Sequence, residues 1–286
     1  MDRLKREAYG KINLMLNISG VRADGYHTLE TIMQTVGLYD TIEIIKTAEK
    51  GIRLTCDLPY IPTDERNIAY KAAEKFIAHT GYDGGLEIDI QKTIPVGGGM
   101  AGGSTNAAAV LNMLNEMCDY PISEKELEAI ALTLGADVPF CLKRGTYLCE
   151  GIGEIMTRLP DLPKCFIVVC KPRASVSSKN AYGVYDHYAD PQHYDHTRMI
   201  DGLHKRNIHA IAEAMGNSFE APIGELCPEI LEIKQKMLDM GALNAAMTGS
   251  GSVVFGIYDD VDRAHAAKNA LRAERYRTYC VKPIHK

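Results

Sequence analysis

The sequence has no surplus of positive charge. Its 37 acidic residues outnumber 32 basic ones, for a formal net charge of −5, and a nucleic-acid binder normally shows the opposite balance. No apolar run approaches the roughly 20 residues that cross a membrane as a helix. The opening Met1-Asp2-Arg3-Leu4-Lys5-Arg6-Glu7 lacks the apolar stretch of a secretory leader. No two of the eight cysteines form a C-x-x-C pattern, which removes the usual signature of a zinc site or a redox pair. Tandem repeats and low-complexity tracts are missing as well. These absences describe a cytoplasmic protein with reduced, mostly buried thiols and with neither nucleic acid nor membrane as a partner.

The 286 residues suffice for one large or two modest domains. Prolines cluster in Leu159-Pro160-Asp161-Leu162-Pro163-Lys164, and the expected division falls there, into residues 1–160 and 161–286. Ile12, Leu14, Leu16 and Ile18 alternate with Lys11, Asn13, Met15 and Asn17, the period of a strand. Lys11 and Asn13 therefore share the face opposite the aliphatic one. Thr41–Ile45 and Leu86–Ile90 also read as strands. Asn67 caps a helix that runs to about Thr80 and stops at Gly81. A helix from Ser104 carries Ala107, Val110, Leu111, Leu114 and Met117 on one stripe. A second has a capping box at Ser123 and Glu126, and Asp137 lies on the loop beyond its stop at Gly135. Cys165–Cys170 is a strand, and residues 172–204 read as loops with one short helix. Helices near 208–215, 229–240 and 261–271 and strands at 253–258 and near Tyr279 complete the chain.

The strongest local signal is Pro95-Val96-Gly97-Gly98-Gly99-Met100-Ala101-Gly102-Gly103-Ser104-Thr105, with a strand before it and a helix after it. Glycines let the backbone approach a ligand and adopt positive φ. The N–H groups at the following helix start then suit a phosphate. Ser104 and Thr105 add hydroxyls. A plain flexible turn does not need so many glycines. No lysine precedes Ser104-Thr105, which excludes a Walker A loop. Gly97, Gly99 and Gly102 do satisfy G-x-G-x-x-G, and Asp119 stands about where a ribose-binding acid would. A dinucleotide fold, however, needs a second parallel strand ending at that acid, and Cys118-Asp119-Tyr120-Pro121 instead turns into another helix.

The loop resembles the ATP loop of the GHMP kinases, with Ser104-Thr105 where that family usually has Ser-Ser. Thr248-Gly249-Ser250-Gly251 is similar to the family's third motif, which braces the phosphate loop. Ala8-Tyr9-Gly10-Lys11-Ile12-Asn13-Leu14 is similar to its first. The three occur in the family's order across nearly the whole chain. The resemblance narrows to the 4-diphosphocytidyl-2-C-methyl-D-erythritol kinases through Arg22-Ala23-Asp24-Gly25-Tyr26-His27-Thr28-Leu29, Leu134-Gly135-Ala136-Asp137-Val138-Pro139-Phe140 and Glu150-Gly151-Ile152-Gly153-Glu154. It is weaker from about 172 to 240.

That resemblance implies an α/β, two-domain fold with a left-handed βαβ crossover in its N-terminal half and an ATP and substrate cleft between the domains. It also implies an ATP-dependent kinase acting on an alcohol. Such a reaction needs positioning, charge neutralisation and an acceptor for the hydroxyl proton. By the resemblance, Asp137 is the base and Lys11 the cation that favours the developing alkoxide. Pro95 to Thr105 would bind ATP, with Gly249, Ser250 and Gly251 bracing that loop. Asn67 and Lys92 would border the adenine, and Asn13 would meet substrate hydroxyls. Tyr26, His27 and Tyr182 would hold the cytosine. Mg²⁺ is expected with ATP, with Glu150 a candidate ligand. Two rivals stand: a GHMP kinase for another alcohol, such as mevalonate or homoserine, and a nucleotide- or RNA-binding module without catalysis. Asp24-Gly25-Tyr26-His27 argues against the first. Lys11, Asp137 and the acidic balance argue against the second.

Overall fold

The structure is a computed structural model and describes residues 1–285 except Asp24 and Tyr26. In chain order the elements begin β1 (Arg3–Val21), β2 (His27–Thr47), β3 (Gly51–Cys56), α1 (Ile68–Thr80), β4 (Gly85–Gln91), α2 (Gly102–Met117), α3 (Glu124–Leu132) and α4 (Val138–Lys143). They continue with β5 (Thr146–Gly151), β6 (Ile155–Arg158), β7 (Phe166–Lys171), α5 (Ser178–Tyr185), α6 (His196–His204), α7 (Ile208–Glu213), β8 (Gly216–Asn217) and α8 (Glu220–Leu226). The last are α9 (Glu229–Asp239), β9 (Asn244–Met247), β10 (Val254–Tyr258), α10 (Val261–Ala273) and β11 (Arg277–Val281).

Compactness groups the chain into two interleaved units. The first comprises Met1–Gly10, Leu38–Ile94 and Ala101–Lys143; the second comprises Lys11–Gly37, Pro95–Met100 and Arg144–Lys286. In the first unit the later part of β2 pairs antiparallel with β4, setting Ile42 opposite Ile90 and Ile44 opposite Ile88. β3 joins β4 in parallel, with α1 lying between them in sequence. Helix α1 forms where expected. The Asn67 side chain accepts from Ala69 N, and Gly81 closes the helix at φ +68° with its N–H on Ile77 O. Such caps satisfy backbone groups that the helix itself leaves unpaired. Phe76 of α1 is fully buried, and a ring of that size contributes roughly 1.5–3 kcal/mol by leaving water.

In the second unit the early part of β2 pairs with β5, and β5 with β6. β8 adds in parallel to β1 at Met15 and Leu16. A separate antiparallel sheet runs β11-β7-β10-β9. Leu16, Ile18, Val168, Phe219, Ile230 and Met237 belong to this unit's apolar core.

The structure corrects several local expectations. α2 starts at Gly102, two residues before Ser104. α3 ends at Leu132 rather than at Gly135, and the short α4 follows Asp137 directly. Residues 172–204 hold two helices, α5 and α6, where one was expected. In β1 the polar face is buried along with the aliphatic one: Lys11, Asn13 and Asn17 are 3%, 1% and 7% exposed. Buried polar side chains must find partners, and those partners form the site.

Candidate active site

Lys11 and Asn13 both lie in the second unit. The Lys11 ammonium donates to Asn13 Oδ1 at 2.8 Å. Asn13 Nδ2 donates to Thr31 Oγ1 at 2.8 Å, and that hydroxyl donates to Met15 O at 2.6 Å. The Asn13 backbone N–H reaches Thr248 Oγ1 at 2.9 Å. Thr248 Oγ1 in turn lies 3.1 Å from Asn13 Oδ1 and 3.4 Å from Gly99 O. One fully buried hydroxyl therefore stands between the strand of the lysine and the glycine loop. The lysine backbone adds a second tie, Lys11 N to Met100 O at 3.2 Å. Buried bonds of this kind are strong because their loss leaves groups without water.

The third motif seats the first half of the glycine loop. Val253 N donates to Gly98 O at 3.2 Å. A Cβ at Gly98 would stand 2.5 Å from Val253 Cγ2, and one at Gly99 would overlap the Thr248 carbonyl. Gly97, Gly99, Gly249 and Gly251 all have positive φ, the left-handed region that glycine enters without steric cost. Asn217 fixes the motif from behind, donating from Nδ2 to Met247 O and Gly249 O at 2.7 and 2.8 Å.

The second half of the loop, from Ala101, belongs to the first unit. Ala101 precedes α2 at φ +58°, and no described side chain caps the helix start. Its first-turn N–H groups thus have neither an intrahelical nor a side-chain partner, the arrangement that suits an anion. Thr105 Oγ1 donates to Tyr9 O at 2.6 Å. Below this turn lies a buried ion pair between Lys92 and Asp40, 5% and 0% exposed. Asp40 Oδ1 accepts from Thr93 N and Ile94 N at 2.7 and 2.9 Å, and Oδ2 from Asn106 Nδ2 at 2.9 Å. Lys92 Nζ also donates to Asn106 Oδ1 at 3.0 Å. Lys92 thus fixes the end of β4 to α2. Asn67 is likewise occupied locally, with Nδ2 on Pro62 O and Oδ1 on Ala69 N. Asp137, half-buried in the same unit, ends the α3–α4 connection and accepts Cys141 N at its carbonyl, 3.1 Å.

Tyr26 lies outside the described residues. His27, in the second unit, stacks on Tyr182 with ring centroids 4.6 Å apart and 25° between planes. Its Nε2 is 2.6 Å from Asp186 Oδ1. Tyr182 and Tyr185 both set an edge against Phe219, so α5 presents an aromatic cluster anchored in the core. Glu150 sits opposite Glu30 across the β2–β5 pair. Among the described residues, no group of three or more His, Cys, Asp or Glu could hold a metal.

Sequence reading missed Asp40, Thr31, Asn106, Asn217 and Asp186. Asp40 carried a usable signal: it shares the parity of Ile42 and Ile44, so the strand pattern places a carboxylate on a buried face. Asp186 carried none, since its partner is distant in sequence.

The family model of the GHMP kinases N terminal domain matches residues 67–145, and that of the GHMP kinases C terminal region matches residues 199–277. A 4-diphosphocytidyl-2-C-methyl-D-erythritol kinase from Clostridium botulinum (strain Loch Maree / Type A3) is 42% identical over 95% of this chain and 96% of its own. The enzyme of that name from Clostridium beijerinckii is 43% identical over 94% and 96%. A solved structure, a 4-(cytidine 5'-diphospho)-2C-methyl-D-erythritol kinase, aligns with 31% identity and a TM-score of 0.85 over 99% of this chain and 100% of that one.

Proposed function

Because the chain belongs to the GHMP kinases, and within them to the 4-diphosphocytidyl-2-C-methyl-D-erythritol kinase family, we propose that it transfers the γ-phosphoryl group of ATP to the 2-hydroxyl of 4-diphosphocytidyl-2-C-methyl-D-erythritol. It thereby serves the non-mevalonate route to isoprenoid precursors, and its place is the cytoplasm; no helix among the described residues is long and apolar enough to cross a membrane.

The substrate oxygen forms a bond to the γ-phosphorus, the bond from that phosphorus to ADP breaks, and the hydroxyl proton leaves. Asp137 accepts that proton, and the Lys11 ammonium favours the oxygen as it gains charge. The observation that carries the reading is the buried thread from Lys11 through Asn13 and Thr248 to Gly99. It fixes the lysine relative to the phosphate loop before any ligand arrives, and preorganised charge needs no rearrangement during reaction. Pro95 to Thr105 hold the phosphates through backbone N–H groups and hydroxyls, with Gly249, Ser250 and Gly251 behind them. Asn67 and Lys92 border the adenine through the elements they fix. Mg²⁺ comes with the nucleotide. Glu150 is the candidate carboxylate that would hold the ion, whose charge would offset that of the phosphates.

Tyr26, His27 and Tyr182 read the cytosine. Asp186 pairs with His27 Nε2, which orients the ring and leaves Nδ1 as the ring nitrogen for the base. Asn13 meets the substrate with the remaining N–H of its amide.

The test is ADP release with ATP-Mg and a panel of acceptors: the cytidine-diphosphate methylerythritol, methylerythritol phosphate, mevalonate and homoserine. Turnover should be confined to the first. Equal rates with methylerythritol phosphate would remove cytosine recognition, and preference for mevalonate or homoserine would replace the reading altogether.

A further inference from the structure

Lys171, the last residue of β7, takes no part in the roles above, yet its Nζ is enclosed by four oxygens of the second unit. They are Pro172 O at 3.0 Å, Ala174 O at 2.5 Å, Ser175 Oγ at 3.0 Å and Ser252 Oγ at 2.9 Å. None is a carboxylate. The first three belong to the segment that leads into α5. The fourth belongs to the turn that follows the third motif. Ser252 closes the ring by donating to Ala174 O at 2.6 Å. A second tie lies close by, Ser178 Oγ to Ser250 Oγ at 2.9 Å.

Each side of this junction leads to a different ligand. Val253, next after Ser252, bonds to Gly98 O and packs against Gly98, so the turn is the seat of the glycine loop. Ser175 stands next to Gly97: a Cβ there would be 3.9 Å from Ser175 Cβ. On the other side, α5 starts at Ser178 and carries Tyr182, the ring stacked on His27; Asp186, which holds His27 Nε2, follows its last residue. Bonds from an ammonium are roughly twice as strong as neutral ones. They come here from a side chain that burial holds below the usual lysine pKa, the largest influence on it.

We propose that Lys171 is a positioning residue: its ammonium locks the 172–175 segment to the Ser252 turn and thereby sets the glycine loop and the cytosine-reading helix α5 as one piece. The inference rests on the kinase reading above. It means that the nucleotide side and the cytidine side of the site share a mechanical support centred on Lys171, a residue remote in sequence from all three family motifs.

The experiment measures KM for ATP and for the cytidine substrate separately, with kcat and Tm, in wild type, Lys171→Met, Ser252→Ala and the double variant. Wild-type turnover tests the kinase reading by itself. Lys171→Met keeps the length and removes the donors. It should raise both KM values about ten-fold, the scale of one charge-assisted hydrogen bond, with a smaller fall in kcat. Ser252→Ala removes one partner of the ring and should shift both constants in the same direction by less, which keeps the test informative should Lys171→Met fold poorly. The double variant should be no worse than Lys171→Met, because contacts acting through one network are not additive. An active wild type with only one KM shifted in either single variant would overturn the coupling. So would both constants within two-fold of wild type, or additive effects in the double. A purely supporting lysine would lower Tm without moving the two KM values together.

Discussion

Replacing Gly99 by alanine tests the seat of the phosphate loop. Gly99 has φ +78°, and a Cβ there would overlap the Thr248 carbonyl oxygen and stand 2.9 Å from its carbon and 3.3 Å from Gly249 Cα. All three atoms are backbone, so no rotamer change relieves the crowding. The left-handed conformation costs a residue with a Cβ about 1–2 kcal/mol. Forcing a methyl into a packed site costs about 1–3 kcal/mol more. The sum, about 2–5 kcal/mol, is relieved only if the loop lifts from the third motif and Gly99 O leaves the Thr248 hydroxyl. At about 1.4 kcal/mol per decade, kcat/KM for ATP should fall about 30- to 3,000-fold. Because Thr248 also holds Asn13, and Asn13 holds Lys11, kcat should share in the loss. Gly103→Ala is the control. Its Cβ would meet the Ile68 side chain at 3.4 Å (Cδ1) and 3.7 Å (Cγ1), and alanine favours a helix by about 1 kcal/mol over glycine. Its Tm should hold or rise, so any loss of ATP affinity there reports the ligand's approach. Initial rates against ATP at saturating cytidine substrate, with thermal melts, decide the matter. A folded Gly99→Ala enzyme with kcat/KM for ATP within about three-fold of wild type would refute the reasoning.

Asp137→Asn should keep ATP affinity, measured by equilibrium titration, while kcat falls by about 10²–10⁴-fold, the usual contribution of a positioned base; near-normal turnover would remove it from the mechanism. Asp40→Ala should cost about 3–5 kcal/mol, read by urea unfolding, because it strands the Lys92 ammonium in a buried place. Asp40→Leu combined with Lys92→Met should recover only the part due to the stranded ammonium, since Thr93 N, Ile94 N and the Asn106 amide still lose the carboxylate; an Asp40→Ala protein within about 1 kcal/mol of wild type would contradict the burial argument. Thiol labelling of the native protein near pH 8 should stop at Cys56, Cys118 and Cys280. The other five cysteines are buried, and burial pushes the Cys165 and Cys170 thiols up to about 12, which leaves almost no thiolate to react. Rapid labelling of either of these two would count against the packing.

Much of the fold was legible because its signals are local. Asn67 and Gly81 bound α1 as a cap and a left-handed stop, and Ser123 with Glu126 forms the capping box read from four consecutive residues. Periodicity found β1 and β4 for the same reason. It could not say that both faces of β1 are buried, since alternation fixes parity and not what covers each side. The short helices α4 and α8 span too few turns to show an apolar stripe, so neither was read, although Asp137 does lie on the connection that leads into α4. Of the site, the glycine loop and Lys11 announce themselves by composition and motif. Thr31, Asn217 and Lys171 matter through partners far along the chain, and a single sequence gives no sign of such pairs. Asp40 was the intermediate case, a charge at an aliphatic parity.

The interleaving of the two units bears on how the polypeptide is made. The first unit has its last segment once Lys143 has been synthesised. The second opens with Lys11–Gly37 and resumes for any length only at Arg144. At ribosomal speeds of about 5–20 residues per second, that gap lasts roughly 5–20 s. During this interval Leu16 and Ile18 of β1 exist without the β8 edge and the α8–α9 residues they later pack with, a state prone to stray strand pairing. The nascent chain therefore offers a chaperone a handle early, at the second unit's part of β1, which begins at Lys11. Cutting the gene at the boundary between the two family regions would separate β1 from its parallel partner β8.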